Sequence, residues 1–346
     1  MSKHSNYDIR EWKKKLAPYE NPRISASVWQ LINSVGSFFL LWVLAYLSLS
    51  FSFWLTLLCA IPAAGFLVRT FIIFHDCTHY SFFKSRKANE VVGMITGLFT
   101  FCSFEQWKRS HTTHHASNGN LEKRGVGDVW TMTLQEYADA TWLKRFFYRT
   151  YRNPIVMFLI GPLYLFLIDY RFNTKDASKK ERMNVWLTNI ILVAIVLLLG
   201  FTLGWKAYIY VQLPIFYIAT FSGVWLFYVQ HQFEDGYFEH NDNWNFVEAA
   251  LKGSSFYKLP KVLQWFSGNI GFHHVHHLNS RVPNYHLEKA HESDPELQNV
   301  PTLTLLTSLK SLTFKLWDDQ SKRFIGNRDI RKFIKQKSMN TEKFKF

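Results

Sequence analysis

The sequence predicts an all-α integral membrane protein: a bundle of four core transmembrane helices with interfacial helices and a histidine-rich cap on the cytoplasmic side. Three observations predict this fold class. Four apolar runs each approach the length of about 20 residues that a helix needs to cross a bilayer. Most Lys and Arg residues lie outside these runs, and eight of the 14 histidines are grouped in three short segments beside them.

The four apolar runs form two pairs. They cover approximately residues 28–48, 53–74, 185–204 and 207–230. Because only a few residues separate the two members of each pair, each pair is predicted to be a tight helical hairpin. Two further runs, 91–104 and 155–169, are shorter than a full span, and we expect them to be half-inserted or interfacial segments.

The basic residues indicate the orientation, because Lys and Arg are concentrated in cytoplasmic loops. The basic segments are residues 1–26, the KKER sequence at 179–182, and the Lys-rich chain after residue 305. If both hairpins start and finish in the cytoplasm, all three segments lie inside. We therefore expect a multi-pass protein of the cell (plasma) membrane, with both termini and the histidine segments on the cytoplasmic side.

The composition narrows the class of function. The chain is 48% hydrophobic and has a net charge of +14, a combination typical of either nucleic-acid binding or apolar helices beside anionic lipid. The apolar runs favour lipid, so no nucleic-acid partner is expected. Cys59, Cys77 and Cys102 match neither a metal-binding spacing nor a disulfide framework, which predicts free thiols. No cleaved signal peptide is expected.

The remaining segments are predicted to belong to the same unit, so that residues 1–346 form a single domain. Residues 134–149 are predicted to be one amphipathic helix lying on the cytoplasmic leaflet. The residues at helical spacing are Leu134, Tyr137, Ala138, Thr141, Trp142, Arg145 and Phe146. The tail from about residue 315 is polar and charged, without an apolar periodicity that would indicate a second domain.

Three histidine boxes are the strongest chemical signal in the sequence. HDCTH contains His75 and His79, HTTHH contains His111, His114 and His115, and HHVHH contains His273, His276 and His277. Residues at i, i+3 and i+4 share one face of a helix, so each box directs its imidazoles toward a common point. Two HxxHH segments rarely arise by chance in one chain, and the pattern therefore predicts a metal site.

The number of imidazoles indicates more than one metal ion. Eight ligands exceed the three or four of a zinc site, whereas two ions sharing eight or nine imidazoles would each be nearly five-coordinate. Imidazole suits zinc, copper and nickel, so the ligand type leaves the metal open. The first box ends the second apolar run and the third follows the fourth run, which predicts a site at the cytoplasmic mouth of a bundle that can accept an acyl chain.

These boxes, in this order and among paired membrane helices, resemble those of the integral-membrane fatty-acid desaturases. The segments HDCTHYSFF, HTTHHASNGN and NIGFHHVHHLNSRVPNYHL are most similar to the acyl-lipid branch, and within it to bacterial phospholipid desaturases of the Bacillus type. The resemblance covers nearly the whole chain. It implies a non-haem di-iron centre with two Fe ions, which uses O₂, two electrons and two protons to introduce a cis double bond into an unactivated acyl chain.

The resemblance also implies a ninth ligand, since the family commonly has a histidine near the end of the last core helix. His231, in YVQHQFED, occupies that place, with an interfacial histidine that binds no metal as the alternative. The implied metal ligands are therefore His75, His79, His111, His114, His115, His231, His273, His276 and His277. No catalytic side chain beyond these ligands and no organic cofactor is expected.

Other residues near the boxes are assigned either a supporting role at the metal site or no role in it. His274 points away from the shared face of the third box and is left out, whereas His286 is a candidate supporting or substitute ligand. We expect three histidines to face solvent: His4, His240 and His291. Metal-bound imidazoles usually donate their outer N–H to an oxygen atom. The candidate partners, for which ordinary capping or solvated roles are the alternative, are Asp76, Glu234, Asp235 and Asn269.

Two other functions fit parts of the pattern. A hydroxylase or carotene ketolase would use the same metal pair but insert oxygen. A histidine-rich metal transporter would place ligands near the bilayer midplane, whereas these boxes lie in polar sequence. The pattern therefore favours the desaturase.

The position of the site predicts the substrate, and the lack of a redox domain predicts the electron source. We expect a membrane phospholipid acyl chain as substrate, with an acyl-CoA or acyl-carrier protein as the alternative. The sequence contains no haem or flavin domain and no cysteine set for an iron–sulfur cluster, so the electrons must come from a separate protein. The basic cytoplasmic face suits ferredoxin or flavodoxin, and equally suits anionic lipid. Double-bond position, chain length, head group and oligomeric state are not determined by the sequence.

Overall fold

The structure, a computed structural model, describes residues 8–343 and the side chains through residue 335, so His4 lies outside the described residues. Helix accounts for 69% of the chain and there is little sheet, which confirms the predicted all-α class. The helices are α1 (Ile9–Leu16), α2 (Ile24–Ser48), α3 (Phe53–Thr78), α4 (Arg86–Phe99), α5 (Phe104–Ser117), α6 (Leu134–Asp139), α7 (Trp142–Tyr151), α8 (Val156–Arg171), α9 (Lys179–Leu203), α10 (Trp205–His231), α11 (Phe246–Lys252), α12 (Lys261–Phe266), α13 (His273–Leu278), α14 (Leu287–Glu292), α15 (Pro295–Gln298), α16 (Leu305–Ser308) and α17 (Asn327–Lys343).

Four helices are long and apolar enough to cross a membrane, namely α2, α3, α9 and α10. They contain the four predicted apolar runs. Helix α3 is the central one, because 56% of its most apolar window is buried against 22–28% for the other three. The reversal between α9 and α10 is made by Gly204 alone, whose φ of 87° lies in the left-handed region that glycine adopts readily.

The two shorter apolar runs have different structures. The run at 91–104 lies mostly in α4, a 14-residue helix that packs against α3. The run at 155–169 lies in α8, which is bent by 61° from α7 at a short break. The pair α7 and α8 has the length and apolarity of a fifth, broken span or of a re-entrant loop. The interfacial placement of the two shorter apolar runs therefore stays a prediction.

The prediction of a single amphipathic helix at 134–149 is wrong, because the segment contains a break between α6 and α7. Thr141 caps α7 by accepting a hydrogen bond from the backbone N–H of Lys144. The Arg145 guanidinium donates to the carbonyls of Ala138 and Ala140, which satisfies the end of α6. As a result α6 turns its apolar residues into the protein, while α7 exposes Trp142 and its apolar neighbours.

The tail also contains structure that the sequence pattern did not predict. Strands β3 (Phe314–Asp318) and β4 (Arg323–Gly326) form an antiparallel hairpin, after the short parallel pair β1 (Phe256–Tyr257) and β2 (Thr302–Leu303). Trp317 pairs with Phe324 across the hairpin, and both are almost fully buried. The tail is thus polar in composition as expected, but the few large side chains of residues 314–326 are buried in the cap.

The cap is held together by packing between the two ends of the chain. Trp12 and Leu16 of α1 are buried in one cluster with residues of α11, α13 and α14. The β3–β4 hairpin packs against α6 and Tyr148 of α7. The third histidine box on α13 is therefore enclosed by elements that are distant in the sequence.

Candidate metal centre

The nine predicted histidines converge in two groups, in which the potential ligand atoms all lie within 4.8 Å of one another. The first group consists of His75, His79, His111, His115 and His276, and the second consists of His114, His231, His273 and His277. The second and third boxes each contribute to both groups. On α5, His111 and His115 belong to the first group and His114 to the second. On α13, His273 and His277 belong to the second group and His276 to the first, so both helices contribute to both groups.

The ring nitrogens of each group face one another at short range. In the first group the Nε2 atoms are 2.9 Å apart between His75 and His276, 2.9 Å between His276 and His115, and 3.1 Å between His115 and His111. In the second group they are 3.1 Å apart between His114 and His231, 3.0 Å between His231 and His273, and 3.2 Å between His273 and His277. Both groups therefore have the same compact geometry.

This geometry fits a metal ion in each group. Imidazole nitrogens bind divalent metals at about 2.1 Å, which places two ligands at a right angle about 3.0 Å apart. Moreover, the Nε2 atom of His79 is buried and has no hydrogen-bond partner among the described residues. An unpartnered buried nitrogen is costly in an apolar setting, but it is the normal state of a nitrogen reserved for a metal.

Burial keeps the imidazoles in the neutral form that binds metal. Burial lowers the pKa of His111, His115 and His276 well below the usual value, and the neighbouring imidazoles lower it further. The same causes, in the same order, lower the pKa of His79, His273 and His277. Protons therefore compete weakly for these nitrogens at neutral pH.

Three of the grouped histidines are oriented by hydrogen bonds from their outer N–H groups. His75 donates from Nδ1 to Asp76 at 3.0 Å, and His231 donates from Nδ1 to the Gly253 carbonyl at 3.0 Å. His114 donates from Nδ1 to Asp128. These bonds fix which ring nitrogen faces the centre.

The four predicted partners of the ligands have different outcomes. Asp76 lies where it was predicted, against His75. Glu234 instead pairs with Lys310, Asp235 is exposed, and the Asn269 side chain donates to the Asn284 carbonyl. These three residues contact no ligand histidine in the described structure, so that part of the prediction is wrong. They are near the boxes in sequence, but the chain turns them away.

Two important partners were missed by the sequence analysis. Asn284 donates to Asp76 Oδ2 through its backbone N–H at 2.7 Å and its side chain at 2.8 Å, which ties α3 to the segment after the third box. Asp128 approaches α5 because Gly127 has a φ of 73° and no side chain. A Cβ at Gly127 would lie 2.8 Å from the Ser110 carbonyl oxygen. The GVGD sequence was the only available signal for this loop.

The remaining histidines lie outside both groups. His274 faces His291 with ring nitrogens 3.1 Å apart, and both side chains are buried. His291 was expected to face solvent, which is wrong, because the His274 ring and Phe256 cover it. His240 is exposed between Glu122 and Asp319, as expected. His286 has its Nδ1 atom at 2.9 Å from the Tyr19 carbonyl and is not a member of either group.

Comparison with known proteins agrees with this site. The fatty acid desaturase family model matches residues 49–301. A "Fatty acid desaturase" of Bacillus subtilis is 53% identical over 322 residues, which is 93% of this chain and 92% of the relative.

Two proteins of Synechocystis are more distant relatives. An "sn-1 oleoyl-lipid 12-desaturase" is 26% identical over 66% of this chain and 64% of its own length. An "sn-1 acyl-lipid omega-3 desaturase (ferredoxin)" is 29% identical over 64% of this chain and 62% of its own length. The matched family segment contains all nine histidines, the spanning helices α3, α9 and α10, and the loop that bears Asp128, whereas α2 lies before it. Sequence, fold and metal-centre geometry thus agree that this oxidoreductase belongs to the fatty acid desaturase family.

Proposed function

We propose that the protein introduces a cis double bond into acyl chains of membrane phospholipids, using O₂ and two Fe ions. The observation that carries this proposal is the pair of buried imidazole groups in a member of the desaturase family. The bound irons would supply the oxidising chemistry needed to remove two hydrogens from an unactivated chain. His75, His79, His111, His115 and His276 would hold one ion, and His114, His231, His273 and His277 the other.

The protein side chains around the histidines have two tasks. Asp76, Asp128 and the Gly253 carbonyl hold the rings in a fixed orientation, which keeps the distance between the two sites constant. Burial of most of the imidazoles limits the access of bulk water to the centre, which would direct the oxidising chemistry at the substrate.

The proposed phospholipid substrate is supported by the position of the centre and by the relatives. His75 lies in the last turn of the apolar helix α3, and His231 is the last residue of the apolar helix α10. An acyl chain can reach both residues from the bilayer. Helix α7 exposes Trp142 and Phe146 and also carries Lys144 and Arg149, a combination that suits an anionic lipid surface. The two Synechocystis relatives are named as lipid desaturases.

A pulse of isotope-labelled saturated phospholipid tests this substrate, with fatty-acid synthesis blocked in the host. We expect a new double bond in the prelabelled lipid, located by mass spectrometry. Unsaturation confined to newly made chains would contradict the lipid assignment and favour an acyl-CoA or acyl-carrier protein. Hydroxylated products would contradict the desaturase outcome itself.

The electrons are proposed to come from ferredoxin or flavodoxin, because the chain is basic and these carriers are acidic. One of the Synechocystis relatives is named as ferredoxin-dependent. Purified protein in lipid nanodiscs, supplied with reduced ferredoxin or flavodoxin, should form product at a rate that falls as ionic strength rises. A salt-independent rate would contradict electrostatic docking. Metal analysis of the same sample should give two irons for each chain.

A further inference from the structure

Three aromatic residues lie next to the histidine groups. Each lies four residues before a metal-centre histidine and therefore on the same helix face: Phe71 before His75, Trp107 before His111, and Phe227 before His231. The Trp107 ring centroid is 4.2 Å from that of His111 and 5.5 Å from that of Phe71. The Phe227 ring lies 5.2 Å from His231. We call Phe71, Trp107 and Phe227 the aromatic collar.

The collar borders an opening inside the protein. All three aromatic residues are partly exposed. Around Phe71 the neighbours one turn away on α3 are nevertheless buried, namely Leu67, Val68, Phe74 and His75, with exposures of 2%, 8%, 0% and 3%. An accessible ring within such a buried face indicates an internal gap and not an outer surface.

A second sign of this gap lies one turn beyond the collar, at Gly223 of α10. Gly223 lies on the helix face of Phe227 and is partly exposed. On the side away from the histidines the neighbours along this face are buried: Phe216, Ala219 and Thr220 have exposures of 3%, 7% and 6%. On the side toward the histidines Phe227 is partly exposed, like Gly223. A Cβ added at Gly223 would nevertheless meet no other atom within 4 Å. The space in front of this glycine is therefore open, whereas the preceding turn of α10 on the same face is closed.

The hydroxyl groups near Gly223 on α10 are already hydrogen-bonded within the helix. Thr220 donates its hydroxyl hydrogen bond to carbonyls within α10, and Ser222 does the same. Neither hydroxyl therefore needs a partner in the gap. An unfilled gap of this kind loses dispersion contacts, and a saturated acyl chain would restore them without leaving a polar group unpaired.

We propose that the acyl chain passes through the aromatic collar and that its methyl end extends past Gly223, so that the absent side chain at this position sets the longest chain accepted. This inference rests on the proposed function. Gly223 lies eight residues before His231, which corresponds to about 12 Å along the helix. A larger side chain at this depth would shorten the space available beyond the metal centre.

Gly223→Leu tests the proposal, with Gly223→Ala as a smaller step. Since no atom lies within 4 Å of the added Cβ, the variant should fold and bind iron like the wild type. With a mixture of myristoyl and stearoyl phospholipids, we expect product from stearoyl chains to fall relative to myristoyl chains by about tenfold or more. Gly36→Leu is the matched control, because Gly36 is equally free of neighbours but exposed on α2. An unchanged product ratio in folded Gly223→Leu would overturn the proposal.

A binding measurement tests the same site without metal or turnover. The thiol introduced by Gly223→Cys should react with N-ethylmaleimide in detergent and be protected severalfold by added distearoyl phosphatidylglycerol, as followed by peptide mass spectrometry. The thiol introduced by Gly36→Cys should show no such protection. Equal rates with and without this lipid at position 223 would contradict the acyl-chain path. Protection without any desaturated product would instead contradict the proposed function and leave the path standing.

Discussion

Asp128 shows how a residue outside the histidine boxes can control the centre. It accepts a hydrogen bond from His114, although 14 residues separate the two, and Gly127 makes this approach possible. Removing its charge weakens the restraint on the His114 ring without removing a ligand. The carboxylate also offsets part of the positive charge that a metal ion would bring into a buried site.

We predict that Asp128→Asn weakens iron binding by about 10–100-fold, the usual cost of losing an outer partner of a metal-bound histidine. Competition with a chelator, followed by metal analysis of the protein, measures this change. Asp235→Asn is the control, because Asp235 is an exposed carboxylate without a histidine partner in the described structure. Equal iron affinity in both variants would show that Asp128 does not support the centre.

His273 and His274 are adjacent residues with opposite expected behaviour. His273→Ala should remove iron from the second group, since its Nε2 lies 3.0 Å from that of His231. His274→Ala should keep both irons but lower the free energy of unfolding by about 1–3 kcal/mol, because His291 loses a buried partner. Metal analysis together with thermal unfolding separates the two effects. Iron loss in His274→Ala would mean that the assignment of ligands in the third box is wrong.

At the scale of single residues, the sequence predicted well which histidines converge, and predicted their hydrogen-bond partners poorly. The i, i+3, i+4 spacing of the boxes places imidazoles on one face of a short helix, a local property that spacing alone specifies. Asp128 and Asn284 reach the site through loops, so no periodicity indicated them. Nearness in sequence was misleading for Glu234 and Asp235, which follow His231 but turn away from it.

At the scale of elements, the spanning helices were predictable because their length and apolarity are set by the bilayer. The cap was less predictable because it depends on single capping and packing interactions. Thr141 and Arg145 divide one periodic segment into α6 and α7. In the β3–β4 hairpin few large residues are involved, and adjacent residues are buried in both strands, so the sequence shows no alternation of the kind that predicts a strand.

Trp317→Ala should destabilise the cap by about 3–5 kcal/mol, the range found when a buried large aromatic side chain is removed. Trp317 is only 1% exposed and packs edge-on against Phe324, with ring centroids 5.4 Å apart. The midpoint of thermal unfolding in nanodiscs reports the change. Trp142→Ala is the matched control, since Trp142 on α7 is 75% exposed and should cost little in the folded cap. Similar melting of both variants would show that the hairpin contributes no stability.

For the whole molecule, two helical hairpins with the histidine groups at one end predict a defined topology. Cysteines introduced by Lys123→Cys and Lys179→Cys should be protected from an impermeant thiol reagent added outside intact cells, whereas Ser50→Cys should react. All three positions are exposed on the protein. Cys59→Ala removes the partly exposed native thiol, and burial raises the pKa of Cys102 to about 12, which keeps it unreactive. Labelling at position 123 from outside would reverse the proposed orientation.

The division of ligands between distant parts of the chain has a consequence for how the enzyme is made. His75 and His276 approach each other across 201 residues, and the second group needs both His114 and His277. A ribosome that has completed the first helical hairpin has produced no complete group, and the last ligand emerges only after all four spanning helices. Neither histidine group can therefore close around a metal ion before α13 has been made, which follows the four spanning helices in the chain.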